Sequence, residues 1–362
     1  MENFDMNNLL LKTICPNNEF INDQFGNPSV MVYIPKFKMN QVIAGGSDKV
    51  HPAFIVNGVE RDGFYISKYL NTEIDGRGYS IPAAVPRNCV GIVSSLDMCN
   101  AKGRGWHLTT IQEWGAVALW CKKNGHLPYG NNDYGRDRRE SVFKAIPVTN
   151  VENGKDRVLT GTGPVSWSHD NTPSGIWDLN GNLSEWVSGY RAVFGEIQVL
   201  PDNDGADNLN SQEAGSAAWR AIDAATGGYI VPDGNGTTKG SVKLDFIDDH
   251  FLGWGSKWVI STEIKDKSPA LRRCDLSFIN CDDTIGSEAK ELLIAFGMIA
   301  DDPLYDYKEQ YVYHINGIPE CFMYRGGYWG SGSFAGVFCW SNSWGREHEY
   351  EGNGFRASYV PL

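Results

Sequence analysis

Asp178, Gly181, Leu183 and Glu185 stand at offsets of 0, 3, 5 and 7 within one short stretch. A turn through them would aim two carboxylates and two main-chain carbonyls at one point. That all-oxygen set suits a hard cation such as Ca²⁺, held for structure rather than catalysis. The same residues also read as a Gly-Asn turn in which Glu185 accepts backbone N–H bonds and no ion is needed. The seven histidines (His51, His107, His126, His169, His250, His314 and His348) show no metal-ligand spacing. Eight scattered cysteines (Cys15, Cys89, Cys99, Cys121, Cys274, Cys281, Cys321 and Cys339) predict reduced, mostly buried thiols. Serine-hydrolase, P-loop and dinucleotide-binding signatures are absent.

The residue types that promise most lie near the carboxyl end. Nine aromatics fall between Tyr328 and Tyr359, interleaved with Gly, Ser and Asn and with few long aliphatics. A core strand would alternate Val, Ile and Leu. Rigid aromatics beside small adaptable polar residues instead describe a recognition surface, where Tyr and Trp give contact area at low entropic cost. Arg325 and Arg356 bracket the segment. They serve either as ligand-contacting cations or as guanidiniums that tie loop carbonyls and a carboxylate into a scaffold.

The whole chain bounds these options. With 362 residues, 41% apolar content and 41 glycines it is one large, loop-rich globular domain or one carrying an insertion. A net charge of −12 opposes sequence-independent nucleic-acid binding and anionic membrane surfaces. The first residues carry no basic n-region or apolar h-region, so the expectation is synthesis in the cytoplasm without a signal peptide. The best apolar run, Leu292 to Ala300, is too short to insert in a bilayer.

The elements that must position these residues follow from local patterns. Residues 1–29 read as an N-terminal arm or edge segment. Met31–Pro35 and Gly63–Tyr69 read as strands. Ser94 or Ser95 is expected to cap a helix running to about Lys102. Thr110-x-x-Glu113 is a capping box opening a second helix to about Asn124, with Ile111, Trp114, Val117, Ala118 and Cys121 on one buried face. A third helix is expected over 288–299, capped by Ser287. Arg136, Arg138 and Arg139 read as a solvated loop. Residues 191–320, with aromatic pieces such as Phe246 and Trp254, read as an insertion in a domain formed by 30–190 and 321–362.

Several motifs, in order, resemble the formylglycine-generating-enzyme (sulfatase-modifying factor) superfamily. They are the strands at Met31–Pro35 and Phe64–Tyr69, the helix start at Trp106–Trp114, the stretch Trp177–Val187, Arg325–Trp329, and Gly354–Arg356. The resemblance implies an α+β C-type lectin fold of that type, with a structural calcium at the positions matching Asp178, Gly181, Leu183 and Glu185. The enzymes carry a cysteine pair five apart after the arginine-glycine-glycine motif; the aligned positions here are about Gly336 and Ser341, with Cys339 alone and offset. An oxidase of this class is therefore the alternative reading, and no catalytic residue is assigned.

The tail is also similar to the variable proteins of diversity-generating retroelements, in which Asn codons are randomised through an error-prone reverse transcript. Arg325-Gly326-Gly327, Trp329, Gly332, Ala335–Phe338 and Gly354–Arg356 match the fixed residues. Departures fall at Tyr328, Gly330, Ser331, Phe334, Cys339, Ser341, Ser343, His348 and Tyr350, all types reachable by replacing adenines in an Asn codon. Trp is not reachable, so Trp329, Trp340 and Trp344 are expected as scaffold; nor are Glu347, Glu349 and Glu351. The resemblance implies a variable ligand-binding segment over 325–356, its exchangeable side chains facing solvent, that recognises a protein or glycan on another cell. The setting would be a phage tail tip or a bacterial cell surface, with a homotrimer as one possible assembly and no cofactor required.

Overall fold

Hydrophobic segments separated by glycine-rich turns give a mixed α/β architecture with four α-helices and three larger sheets among the described residues. The computed structural model describes residues 3–142, 144–148, 156–246, 257–302, 304–307 and 310–362, so Trp254 and His250 lie outside the described residues.

The residues before Pro28 form a helix, α1 (Asn3–Ile14), followed by the strand Asn18–Asn22, which is the edge of a five-stranded antiparallel sheet. The sheet continues through Pro28–Pro35, Gly63–Ser67, Ala357–Tyr359 and Trp106–Leu108. The last strand of the chain is thus zipped between two early ones, which anchors the end of the 325–356 segment.

Helix α2 (Ile92–Asn100) starts before the serines expected to cap it. Ser94 Oγ accepts the Gly91 N–H at 3.2 Å, and Ser95 Oγ donates to the Gly91 carbonyl at 2.8 Å, both from inside the first turn. Helix α3 (Ile111–Lys123) opens on the reciprocal box: Thr110 Oγ1 accepts the Glu113 N–H and Glu113 Oε2 accepts the Thr110 N–H, each at 3.1 Å. It buries more than the predicted single face, because Ala116 and Leu119 are covered as well. Helix α4 (Ser287–Ala295) is capped by Gly286 and stops short of Ile299, since Gly297 turns into the left-handed region at φ 64°. Gly115 permits its contact with α3, for a Cβ there would lie 2.1 Å from the Ala295 carbonyl oxygen.

Residues 191–320 do not stand apart. They build a seven-stranded sheet, from Tyr190–Val193 to Ile279–Cys281. They also lend Arg272–Asp275 and Tyr311–His314 to a six-stranded sheet, where these precede Gly336–Trp344, Phe322–Gly326, Ser184–Trp186 and Asn353–Gly354. The two sheets share a core in which Trp258 and Trp340 pack at 5.8 Å and Asn342 Nδ2 donates to the Tyr190 hydroxyl at 3.0 Å.

The basic loop is not solvated at Arg139. Its guanidinium bonds both oxygens of buried Asp137 at 2.6 and 2.7 Å and lies 3.7 Å from the Tyr129 ring centroid. All eight cysteines are free thiols, and six are buried, with Cys281 half-buried and Cys89 exposed.

Candidate ligand-binding site

The strand Gly336–Trp344 has two faces, and its sequence sorts residues between them with period two. Phe338, Trp340 and Asn342 turn inward. Trp340 Nε1 donates to the Met298 carbonyl at 3.2 Å, and Asn342 Nδ2 also meets His314 Nδ1 at 3.0 Å. Cys339, Ser341 and Ser343 turn the other way and floor a cavity of about 270 Å³. Neighbouring strands align with it: Ser341 is in register with Tyr313 on one side and Tyr324 on the other. Small residues on the middle strand, flanked by tyrosines, leave the hollow.

Eight of the nine predicted ligand positions line this one cavity: Tyr328, Gly330, Ser331, Phe334, Cys339, Ser341, Ser343 and Tyr350. They do not all face solvent as expected. Cys339, Ser341 and Ser343 are only 3%, 5% and 4% exposed, because rim aromatics close over the floor, whereas Tyr350 is 38% exposed. The Ser341 and Ser343 hydroxyls share a hydrogen bond of 2.8 Å. At the rim, Tyr328 and Tyr350 meet edge to face at 5.8 Å, and Phe334 meets Tyr311 likewise at 4.8 Å. The ninth position, His348, does not line the cavity; its ring stacks on Trp344 at 3.8 Å. Trp344 is 42% exposed and belongs to the rim rather than the scaffold, whereas Trp329 and Trp340 are buried.

Among the described residues, none that lines the cavity carries a formal charge. Burial pushes the Cys339 thiol and the Tyr313 phenol up to about 12, and raises Tyr350 further. These groups stay neutral near pH 7, so they offer hydroxyls and π faces rather than a base or a thiolate nucleophile.

The residues matching the fixed motif hold this surface from behind. Arg325 is wholly buried and donates through both Nη atoms to the Gly297 carbonyl, at 3.3 and 3.2 Å; burial lowers its pKa to about 9. Trp114 Nε1 on α3 donates to the Val337 carbonyl at 2.7 Å. Gly326 and Gly327 adopt φ of 85° and 75°, turning the chain from its strand into the Tyr328–Ser331 loop. The Ser331 hydroxyl closes that loop by accepting the Tyr328 N–H at 3.0 Å. Both bracketing arginines are therefore scaffold.

Of the four residues considered for calcium, the two carboxylates are otherwise engaged. Arg356 donates to both oxygens of Glu185, at 2.9 and 2.8 Å. Asp178 accepts the Gly161 N–H at 3.3 Å, and burial raises its carboxyl to about 7 although Arg356 opposes the shift. The guanidinium supplies the positive charge that a cation would, and a divalent ion beside it would be repelled.

Tyr311, Tyr313, Tyr324 and Leu271 also line the cavity, and no motif or codon argument points to them. Three of them lie before the segment's sheet partner Phe322–Gly326, within 191–320. The alternation Tyr311-Val312-Tyr313-His314 was the available signal, marking two phenols on one strand face.

No protein-family model matches the chain, and no curated protein does. Among solved structures, PvdO from Pseudomonas aeruginosa is similar over 92% of this chain and 94% of its own, with a TM-score of 0.35 and 13% sequence identity. That likeness is too distant to assign a family.

Proposed function

We propose that the chain is a diversified ligand-binding protein, not an enzyme. On a C-type lectin fold of the formylglycine-generating-enzyme type, its 325–356 segment carries positions varied by retroelement mutagenesis. Its C-terminal surface recognises a protein or glycan on another cell. The proposed setting is a phage tail tip or a bacterial surface. Assembly as a homotrimer would turn weak single contacts into avidity. The binding reading involves neither nucleic acid nor membrane insertion, and no helix among the described residues is long and apolar enough to cross a membrane.

One observation carries this reading. Eight of the nine positions picked out by the resemblance to retroelement variable proteins, all of types reachable from an Asn codon, converge on one hollow, while Arg325, Trp329 and Arg356 of the fixed motif are buried. Variation confined to the hollow changes recognition at little cost to the core. The oxidase alternative has less support, because Cys339 is a buried, neutral thiol and the aligned pair positions are Gly336 and Ser341.

The test is a Tyr328→Ala/Phe334→Ala/Tyr350→Ala variant in a capture assay against target cells. Retained folding with lost capture is expected; undiminished capture overturns the assignment of the site. In the genome, a near-copy of the 325–356 coding stretch differing only at adenines, beside a reverse transcriptase, is expected. Turnover of a Cys-x-Pro-x-Arg peptide with copper would instead establish the oxidase.

A further inference from the structure

Resting on the reading of this cavity as the binding site, we infer that it takes a neutral pyranose. The group recognised on the other cell is then one sugar unit of a surface glycan, held by ring faces, hydroxyls and a side-chain amide.

Two polar sets in the cavity lack partners. Asn353, on the short strand Asn353–Gly354, lines the cavity and is only 2% exposed, yet its Nδ2 has no hydrogen-bond partner among the described residues. A buried donor without an acceptor is a standing cost, which an acceptor on a ligand removes. The hydroxyls of Tyr324, Ser343 and Ser341 form a row, with contacts of 3.5 and 2.8 Å. Each hydroxyl donates once, so two contacts leave one of the three donors without an acceptor in the row, and lone pairs to spare. A sugar hydroxyl both donates and accepts, and so completes such a row from either end.

The rings supply the other half of the fit. Tyr328 and Tyr350 meet at 87°, and in an edge-to-face pair the ring presenting its edge keeps its own faces off its partner. The C–H bonds on one side of a pyranose carry partial positive charge and lie well against the negative face of such a ring. Charge narrows the choice to a neutral sugar. The Arg273 guanidinium lies 5.1 Å from the Phe334 centroid and bonds the Tyr313 phenol, so it repels a cationic group, while the net −12 of the chain opposes an acidic one. A partner protein's side chain is the competing occupant. An apolar one leaves Asn353 and the hydroxyl row unpaired, and a small polar one leaves the rings uncovered. A volume of about 270 Å³, just under the usual range for drug-sized ligands, suits a single sugar ring.

The experiment is a saturation-transfer NMR titration of the intact chain with the methyl glycosides of glucose, galactose, mannose and N-acetylglucosamine. D-sorbitol, which has the hydroxyls but no ring, is the control. Saturable binding of at least one glycoside is expected, about tenfold or more tighter than sorbitol. Asn353→Leu should weaken that binding about tenfold or more. It should not lower the urea midpoint, because the free chain loses an unpaired amide rather than a bond. Ser343→Ala, which breaks the hydroxyl row, should weaken binding likewise. No binding by any of the four, sorbitol binding as well as the best glycoside, or unchanged binding in both variants overturns the inference. In the capture assay, periodate treatment of the target cells, which cleaves the vicinal diols of sugars, should abolish capture. Capture that survives periodate also overturns it and points to a protein surface as the ligand. If the triple alanine variant still loses capture in that event, the ligand class is wrong and the site stands; if its capture is undiminished, both fall.

Discussion

Arg356 and Glu185 form a bidentate pair, Nε and Nη2 of one bonding the two carboxylate oxygens of the other, with the two side chains 0% and 1% exposed. The guanidinium also donates to the Ser67 carbonyl at 2.7 Å and the Trp177 carbonyl at 2.8 Å. One side chain near the end of the chain thus ties together an early strand, the Asp178 turn and the Ser184–Trp186 strand. A buried pair so fully bonded defines where the segment ends more than it adds net stability.

Breaking the pair from one side should therefore be far worse than removing it. Arg356→Met leaves the Glu185 charge buried and unpaired, and is expected to cost about 3–5 kcal/mol in urea unfolding. The double variant Arg356→Met/Glu185→Leu should recover a substantial part of that loss. Because the guanidinium already bonds both Glu185 oxygens, adding Ca²⁺ or a chelator should leave the wild-type melting temperature unchanged. A clear rise with Ca²⁺ would contradict the fit described above.

The two faces of Gly336–Trp344 should respond oppositely to substitution. Phe338→Ala and Trp340→Ala open cavities in the core and should each cost about 3–5 kcal/mol. Cys339→Val and Ser341→Ala face the hollow and should stay within about 1.5 kcal/mol, Ser341 losing only its bond to Ser343. Denaturant midpoints across these variants would check the alternation. Equal losses on both faces would mean that the exchangeable positions are core after all.

How far the sequence was legible depended on how local the determining contacts are. The Thr110–Glu113 box was readable because both partners lie within one turn. Ser94 and Ser95 read as caps in the sequence yet sit inside α2, where both bond back to Gly91. Arg139 reads as solvated in the sequence because the Tyr129 ring that covers it is not part of its own charge run. The resemblance of the tail to retroelement variable proteins, with its codon logic, points to eight of the cavity's lining residues. Tyr311 and Tyr313 could not be reached that way, because they arrive by parallel pairing of Tyr311–His314 with Gly336–Trp344. For the same reason Ser341 and Ser343 looked solvent-facing: their cover comes from residues distant in sequence.

Acid should destabilise the fold partly through His51. Its ring is wholly buried, and the contacts fit one neutral tautomer, with Nδ1 accepting the Ala53 N–H at 3.2 Å and Nε2 donating to the Ala295 carbonyl at 3.1 Å. Burial lowers its pKa from 6.5 to about 3. The unfolded chain then binds a proton that the fold refuses. The contribution is fully present above pH 6.5 and is lost as pH falls from there toward 3, by about 1.4 kcal/mol per pH unit at most. His51→Gln should flatten the acid limb of a stability–pH curve by roughly that slope, measured against its own neutral-pH value. An unchanged limb would mean that His51 does not hold its proton-free state in the fold.

The turn at Gly327 couples scaffold to site, and its effect can be isolated by comparison with Gly125. Both are in the left-handed region, at φ 75° and 68°. A Cβ at Gly125 would meet nothing within 4 Å, whereas one at Gly327 would come 2.7 Å from Ala335 Cβ and 3.2 Å from Ser331 Oγ. Gly125→Ala therefore carries only the backbone cost, about 1–2 kcal/mol. Gly327→Ala should cost more, and should also push on the hydroxyl that closes the Tyr328–Ser331 loop. Target capture should then weaken beyond what the stability loss explains, while Gly125→Ala leaves capture intact at temperatures where both variants are folded. Equal effects on stability and capture in the two variants would show that this turn does not set the cavity rim.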